Sequence, residues 1–299
     1  MGRISNSLQL ARTSWNVLRS DKRLTVIPVI SAGSSAVVMA AMGVGIFATI
    51  KQVKPSATAE TFRTTQTGLA GATAQAGYQP TAATYVVAIA GGLLLSIIVT
   101  YCTGALISAA HARLTGADSS IGAAFAKATS RFPQLLGWAI INYTVGLVMR
   151  TIDERAGIVG RLLTSFLTLA WTVISWLAVP YIVIDGVGPI SALKQSTTAL
   201  KRTWGENLIA NIGLGIINLF VLLGAVVLFV LFAIPGLWLI GLVLTLVYIA
   251  VSATIMSALT GIYRTALFMY ASSGTAPAGF DQQLLDGAFR VRQRRLGVI

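Results

Sequence analysis

Charge is what this sequence has least of. Only 10% of its 299 residues are Asp, Glu, Lys or Arg, while 55% are apolar and the mean hydropathy is +0.78. An ordinary soluble domain carries about 25% charged residues, and a globule of this length cannot cover its surface with so few. A soluble enzyme is thereby excluded. The single cysteine, Cys102, excludes a disulfide-stapled secreted scaffold. With His111 as the one histidine, a His/Cys metal site is excluded too. There is no phosphate-cradling Gly-x-x-x-x-Gly-Lys loop and no dinucleotide fingerprint: Gly213-Leu-Gly215 begins like one but runs into Asn218 inside an apolar run. No cofactor, metal or catalytic group is expected.

Long apolar runs are what the chain has. A helix needs about 20 apolar residues to cross a hydrocarbon core of about 30 Å. Six segments qualify: Val26 to Ile50, Thr84 to Ala110, Gln134 to Met149, Leu162 to Ile184, Leu208 to Ile234 and Leu237 to Tyr270. The expected fold class is all-α, a polytopic membrane protein with six transmembrane helices. The third run is the shortest, bounded by Pro133 and Arg150, and only the turn signal Pro235-Gly236 parts the fifth from the sixth. The first run is too long for a signal-peptide core, so no cleavable leader is expected.

Six spans put both termini on one side. Sixteen Lys and Arg residues fall on that side and six on the other, which places both termini in the cytoplasm by the positive-inside rule. The net charge of +13 then reads as an orientation signal that also favours anionic lipid headgroups as partners; no nucleic acid is needed to account for it. Residues 51–83, rich in Thr, Ala, Gln and Gly, read as a flexible or weakly helical outer loop. Residues 272–299 form a basic cytoplasmic tail ending in Arg290-Val-Arg-Gln-Arg-Arg295.

Ahead of each odd-numbered span the apolar residues recur at helical spacing: Leu8, Ala11, Trp15, Leu18; Ile121, Ala124, Phe125, Ala128, Phe132; Ile190, Leu193, Thr197, Leu200, Trp204. Basic residues flank each stripe. Such helices read as interfacial, lying along the headgroups, and as caps packed across the end of the bundle. Trp15, Arg19, Phe125, Arg131, Lys201 and Trp204 are the lipid-interface candidates. The chain thus parses as three repeats of interfacial amphipathic helix plus two spans, about 4–111, 118–184 and 189–271, in a single membrane domain 1–271. Two even-numbered spans carry small residues spaced by four, Ser96-Thr100-Gly104-Ser108-Ala112 and Ala253-Ser257-Gly261-Thr265, which let helices approach closely in lipid.

The centres of all six spans lack Asp, Glu, Lys, Arg and His, which argues against a proton relay; Arg264 and His111 fall near the interface by length. Asn142, Asn211 and Asn218 are the polar intramembrane candidates, as interhelical hydrogen-bonding groups or as the lining of a wet path.

One stretch, Asp185-Gly-Val-Gly-Pro-Ile-Ser-Ala-Leu-Lys-Gln-Ser196 running on through Leu200-Lys-Arg-Thr-Trp204, resembles an uncharacterised family of bacterial six-span membrane proteins, a domain of unknown function. Ser14-Trp-Asn-Val-Leu-Arg-Ser-Asp-Lys22 and Phe132-Pro-Gln-Leu-Leu-Gly-Trp138 fit the same family. The Ala-Leu-x-x-Ser helix is more distantly similar to the membrane domain attached to some glycerophosphodiester phosphodiesterases, whose catalytic domain has no counterpart here. The resemblance implies a multi-pass protein of the bacterial cytoplasmic membrane and lends no activity. The expected function is non-enzymatic: binding or moving a lipid or small apolar solute. A homo-oligomeric channel and a scaffold for partner proteins are the alternatives.

Overall fold

The computed structural model describes residues 13–19, 21–53, 77–117, 120–203, 212–233, 237–274 and 277. Helices account for nearly all of them. α1 covers 13–19, and α2, Val26–Thr49, is entered through a 3-10 turn at Lys22–Thr25. There follow α3 (Ala82–Leu114), α4 (Ile121–Ser130), α5 (Phe132–Arg155) and α6 (Ile158–Ile174). A short α7 (Ala178–Pro180) passes into a π-turn at Tyr181–Asp185, and α8 (Pro189–Thr203), α9 (Ile212–Ala233) and α10 (Trp238–Ser273) complete the chain. The fold class is all-α, as the long apolar runs predict.

Among the described residues, five stretches are long and apolar enough to cross a membrane: Arg23–Thr49, Ala82–Leu114, Phe132–Arg155, Val159–Asp185 and Trp238–Ser273. They correspond to the first four and the last of the apolar runs. The fifth run corresponds to α9, of which the stretch Val221–Phe232 counts as a shorter apolar helix. The third span exceeds its expected length. Charge does not end α5 at Met149, because Arg150 and Glu154, good helix formers one turn apart, pair at 3.2 Å and the helix runs on to Arg155.

The chain divides into two compact units, Ser34–Leu95 and the remainder. In the smaller unit, Lys51–Val53 and Gly77–Gln79 form an antiparallel ribbon with Gln52 opposite Tyr78. This corrects the reading of 51–83 as a flexible or weakly helical loop at both of its ends; residues 54–76 lie outside the described residues. The helix ends beside the ribbon are tied together by Thr81 Oγ1, which donates to the Thr49 carbonyl at 2.9 Å. Small residues bring the helices close: a Cβ on Gly45 would stand 3.0 Å from Val87 Cγ1.

In the larger unit the core gathers at one end of the long helices. It joins the last turns of α3 (Ala105, Ile107, Ala110), the first of α5 (Leu135, Ala139), the α7 segment (Ala178, Ile182, Val183) and the last of α10 (Ala258, Ile262, Ala266). Against this core α1 presents Leu18, α4 presents Ala124 and Ala128, and α8 presents Ala192, all buried. Large apolar side chains elsewhere face outward, Val159 at 81% exposure and Phe166 at 69%. Water would not tolerate so much apolar surface; lipid would.

Both small-residue rows make close contacts within the chain. A Cβ on Gly104 would lie 3.0 Å from Leu135 Cδ1 and 3.2 Å from Val183 Cγ2, and one on Gly261 would run into Leu106. Ser96 Oγ reaches across to the Ala139 carbonyl at 3.1 Å.

The fourth span is not one helix. α6 stops at Ile174, a turn occupies Ser175–Leu177, and the chain resumes as α7. Backbone groups released by such a break are costly away from water. Ser196, fully buried on α8, satisfies two of them: its hydroxyl donates to the Ile174 carbonyl at 2.6 Å and accepts from the Leu177 N–H at 3.2 Å. Ala192, one turn earlier, is equally buried and lets α8 approach. The span closes at Gly186, whose φ of 72° suits glycine, and a Cβ there would stand 2.5 Å from the Arg131 guanidinium.

Replacing Gly261 with Val should lower stability by about 1–3 kcal/mol through overpacking against Leu106. Gly33→Ala, where a Cβ meets nothing within 4 Å, should change it by less than about 1 kcal/mol. Denaturant titration of the purified protein in mild detergent checks both.

Candidate functional site

The antiparallel pair α5 and α6 does not close along its length. Between them lies a groove of about 530 Å³, within the range of about 300–1,000 Å³ typical of small-molecule sites. On α5 the lining residues, Val145, Gly146, Met149, Arg150 and Asp153, fall on one helical face. On α6, Thr164, Thr168 and Thr172 recur every four residues, with Ser165, Leu169 and Trp171 beside them.

The hydroxyls on α6 are partly committed. Thr164 donates to the Gly160 carbonyl at 2.8 Å, Ser165 to Arg161 at 2.9 Å and Thr172 to Thr168 at 2.8 Å. Each oxygen keeps lone pairs for a further donor. At one end of the groove Arg150 carries its exposed ion pair with Glu154, and Asp153 stands on the next turn. At the other end Trp171 stacks on Trp138, with centroids 6.1 Å apart and planes 13° from parallel, and its Nε1 donates to Asn142 Oδ1 at 3.0 Å. The slot is apolar along its walls, dotted with acceptors, and charged at one end. Its chemistry suits a molecule with an apolar body and a polar terminus.

Asn142 thus fixes the indole at the groove's end. Asn211 lies outside the described residues, as does the side chain of Asn218 on α9. Among the interface candidates, Trp15, at 45% exposure, and Arg19 lie exposed on α1. Phe125 is half-buried against Tyr101 (5.8 Å between centroids), whose ring also meets Phe132 at 5.9 Å and whose hydroxyl shares a 2.8 Å hydrogen bond with Thr129. Arg131 is half-buried beside Gly186, and its Nε is shut from solvent with no hydrogen-bond partner among the described residues. The Lys201 side chain and Trp204 lie outside the described residues.

The sequence reading passed over Thr164, Thr168 and Thr172. Their spacing of four was visible in it, but the apolar residues between them concealed a polar face. His111, without a nearby carboxylate in sequence, comes within electrostatic reach of Asp185 in the fold. Among the described residues, no group of three His, Cys, Asp or Glu side chains is placed to hold a metal ion.

The sequence profile of a family of unknown function (DUF6159) matches residues 82–280. No curated protein and no solved structure matches the chain.

Asn142→Leu removes the acceptor for the Trp171 indole. A loss of about 1 kcal/mol in stability is expected, together with an altered tryptophan emission maximum, read by fluorescence during the same titration.

Proposed function

The chain belongs to this family of unknown function, and from that premise we propose that it is a non-enzymatic integral membrane protein that binds or carries a lipid or small apolar solute between α5 and α6. The observation that carries the reading is the groove itself, with Val145, Met149 and Leu169 as walls, threonine rungs on α6, and Arg150 and Asp153 at one end. An acyl chain or a similar apolar body matches the walls; a headgroup matches the charged end.

In this reading α9 is the fifth of six spans, both termini lie on the cytoplasmic side of a bacterial inner membrane, and the three repeats each contribute one cap helix and two spans. The Lys and Arg asymmetry supports the orientation. Anionic lipids are the natural partners of Arg19, exposed on α1, and of the basic tail. A homo-oligomeric channel has less support, because Gly104 and Gly261, the glycines of both small-residue rows, are used in contacts within the chain. No feature favours a scaffold over a binding protein.

Thr168→Trp would fill the groove. Native mass spectrometry of protein released from lipid nanodiscs should then show at least a tenfold drop in retained lipid or solute relative to the wild type. Equal retention by a folded variant would contradict the reading.

A further inference from the structure

Arg264, near the end of α10, has its guanidinium 4.5 Å above the ring of Trp176. Arg150–Glu154 is the salt bridge among the described residues, so this cation meets no carboxylate there. Among the described residues its Nε is shut from solvent without an acceptor, and so is the Nε1 of Trp176 beneath it. Two adjacent N–H donors, one of them on a charged group, therefore lack a partner among the described residues. Buried polar groups in native proteins are nearly always satisfied, so such a pair demands an acceptor, and beside an unpaired cation the acceptor should be anionic.

Position narrows the class of anion. Arg264 lies about 39 Å along α10 from Trp238, at about 1.5 Å per residue. That exceeds the hydrocarbon thickness of about 30 Å, so the guanidinium sits at headgroup depth. Arg264 is half-buried, and its terminal nitrogens are not among the polar atoms shut from solvent without a partner, so it is there that a ligand meets the guanidinium. Trp176 belongs to the turn Ser175–Leu177 that Ser196 closes, so the indole backing the cation is held by the core. A planar guanidinium fixed on an aromatic ring is suited to fork-like contact with phosphate oxygens.

We propose that Arg264 and Trp176 form a phosphate-binding site at the membrane interface, the guanidinium supplying charge and donors and the indole fixing its plane. Neither residue lines the groove between α5 and α6, so this site stands or falls independently of the groove.

The test titrates wild-type and Arg264→Gln protein in a neutral maltoside detergent, with phosphatidylglycerol in one arm and inorganic phosphate in the other, and counts bound species by native mass spectrometry. The substitution should weaken the first bound phosphate-bearing species by about tenfold, the loss expected for a charge-assisted contact. Loss confined to the lipid arm assigns the site to a headgroup; loss in the phosphate arm assigns it to a soluble phosphate. Equal binding by both proteins in both arms overturns the proposal. Should the Gln variant fail to fold, arginine-directed phenylglyoxal labelling of the wild type decides instead. Protection of the Arg264 peptide by either ligand is the expected result, and labelling unchanged by both refutes the site.

Discussion

A serine hydroxyl closes the break in the fourth span, and the packed end of the molecule depends on it. Ser196 takes up the Ile174 carbonyl and the Leu177 N–H, two backbone groups released where α6 gives way to α7. In water such a break costs little. Where lipid or protein surrounds it, each orphaned group costs several kcal/mol, so the break persists only with a partner built in. α8 can supply that partner because Ala192 and Ser196, one turn apart, are small enough to bring it into contact. With the break closed, Ile182 and Val183 reach the core shared by α3, α5 and α10.

The larger unit consequently has two kinds of region. Near the break, the inward-facing residues of the short helices and of the long helix ends are nearly fully buried; away from it, large apolar side chains face outward. The groove between α5 and α6 begins where the packing ends, at the Trp138–Trp171 stack, and extends toward Arg150 and Asp153. A rigid frame carrying a more open slot suits a protein that admits and releases a ligand from lipid, since local opening is easiest where buried contacts are few.

Much of the frame was legible in the sequence. Long apolar runs marked five stretches long and apolar enough to cross a membrane, and apolar residues at spacings of three and four marked α4 and α8, because a core-facing side imposes those periods directly on the residues. The Ala-Leu-x-x-Ser pattern was visible, but its reason was not: the partner of Ser196 is a break 22 residues earlier, inside a run that carries no charge to mark it. The ribbon at Lys51–Val53 was hidden for another cause, since three residues show no alternation to read. The threonine face of α6 was readable by its spacing, whereas the link from Trp171 to Asn142, 29 residues apart, depends on how two helices align side by side. Long-range pairing of polar atoms is what composition and period leave open.

The most direct test of the account is the amide exchange of Leu177, followed by hydrogen–deuterium exchange in nanodiscs for the wild type and Ser196→Ala. If the hydroxyl closes the break, Leu177 exchanges slowly in the wild type and much faster in the variant, while peptides over Ala258–Phe268 remain protected in both. Identical exchange at Leu177 in the two proteins would contradict the claim that Ser196 holds the span together.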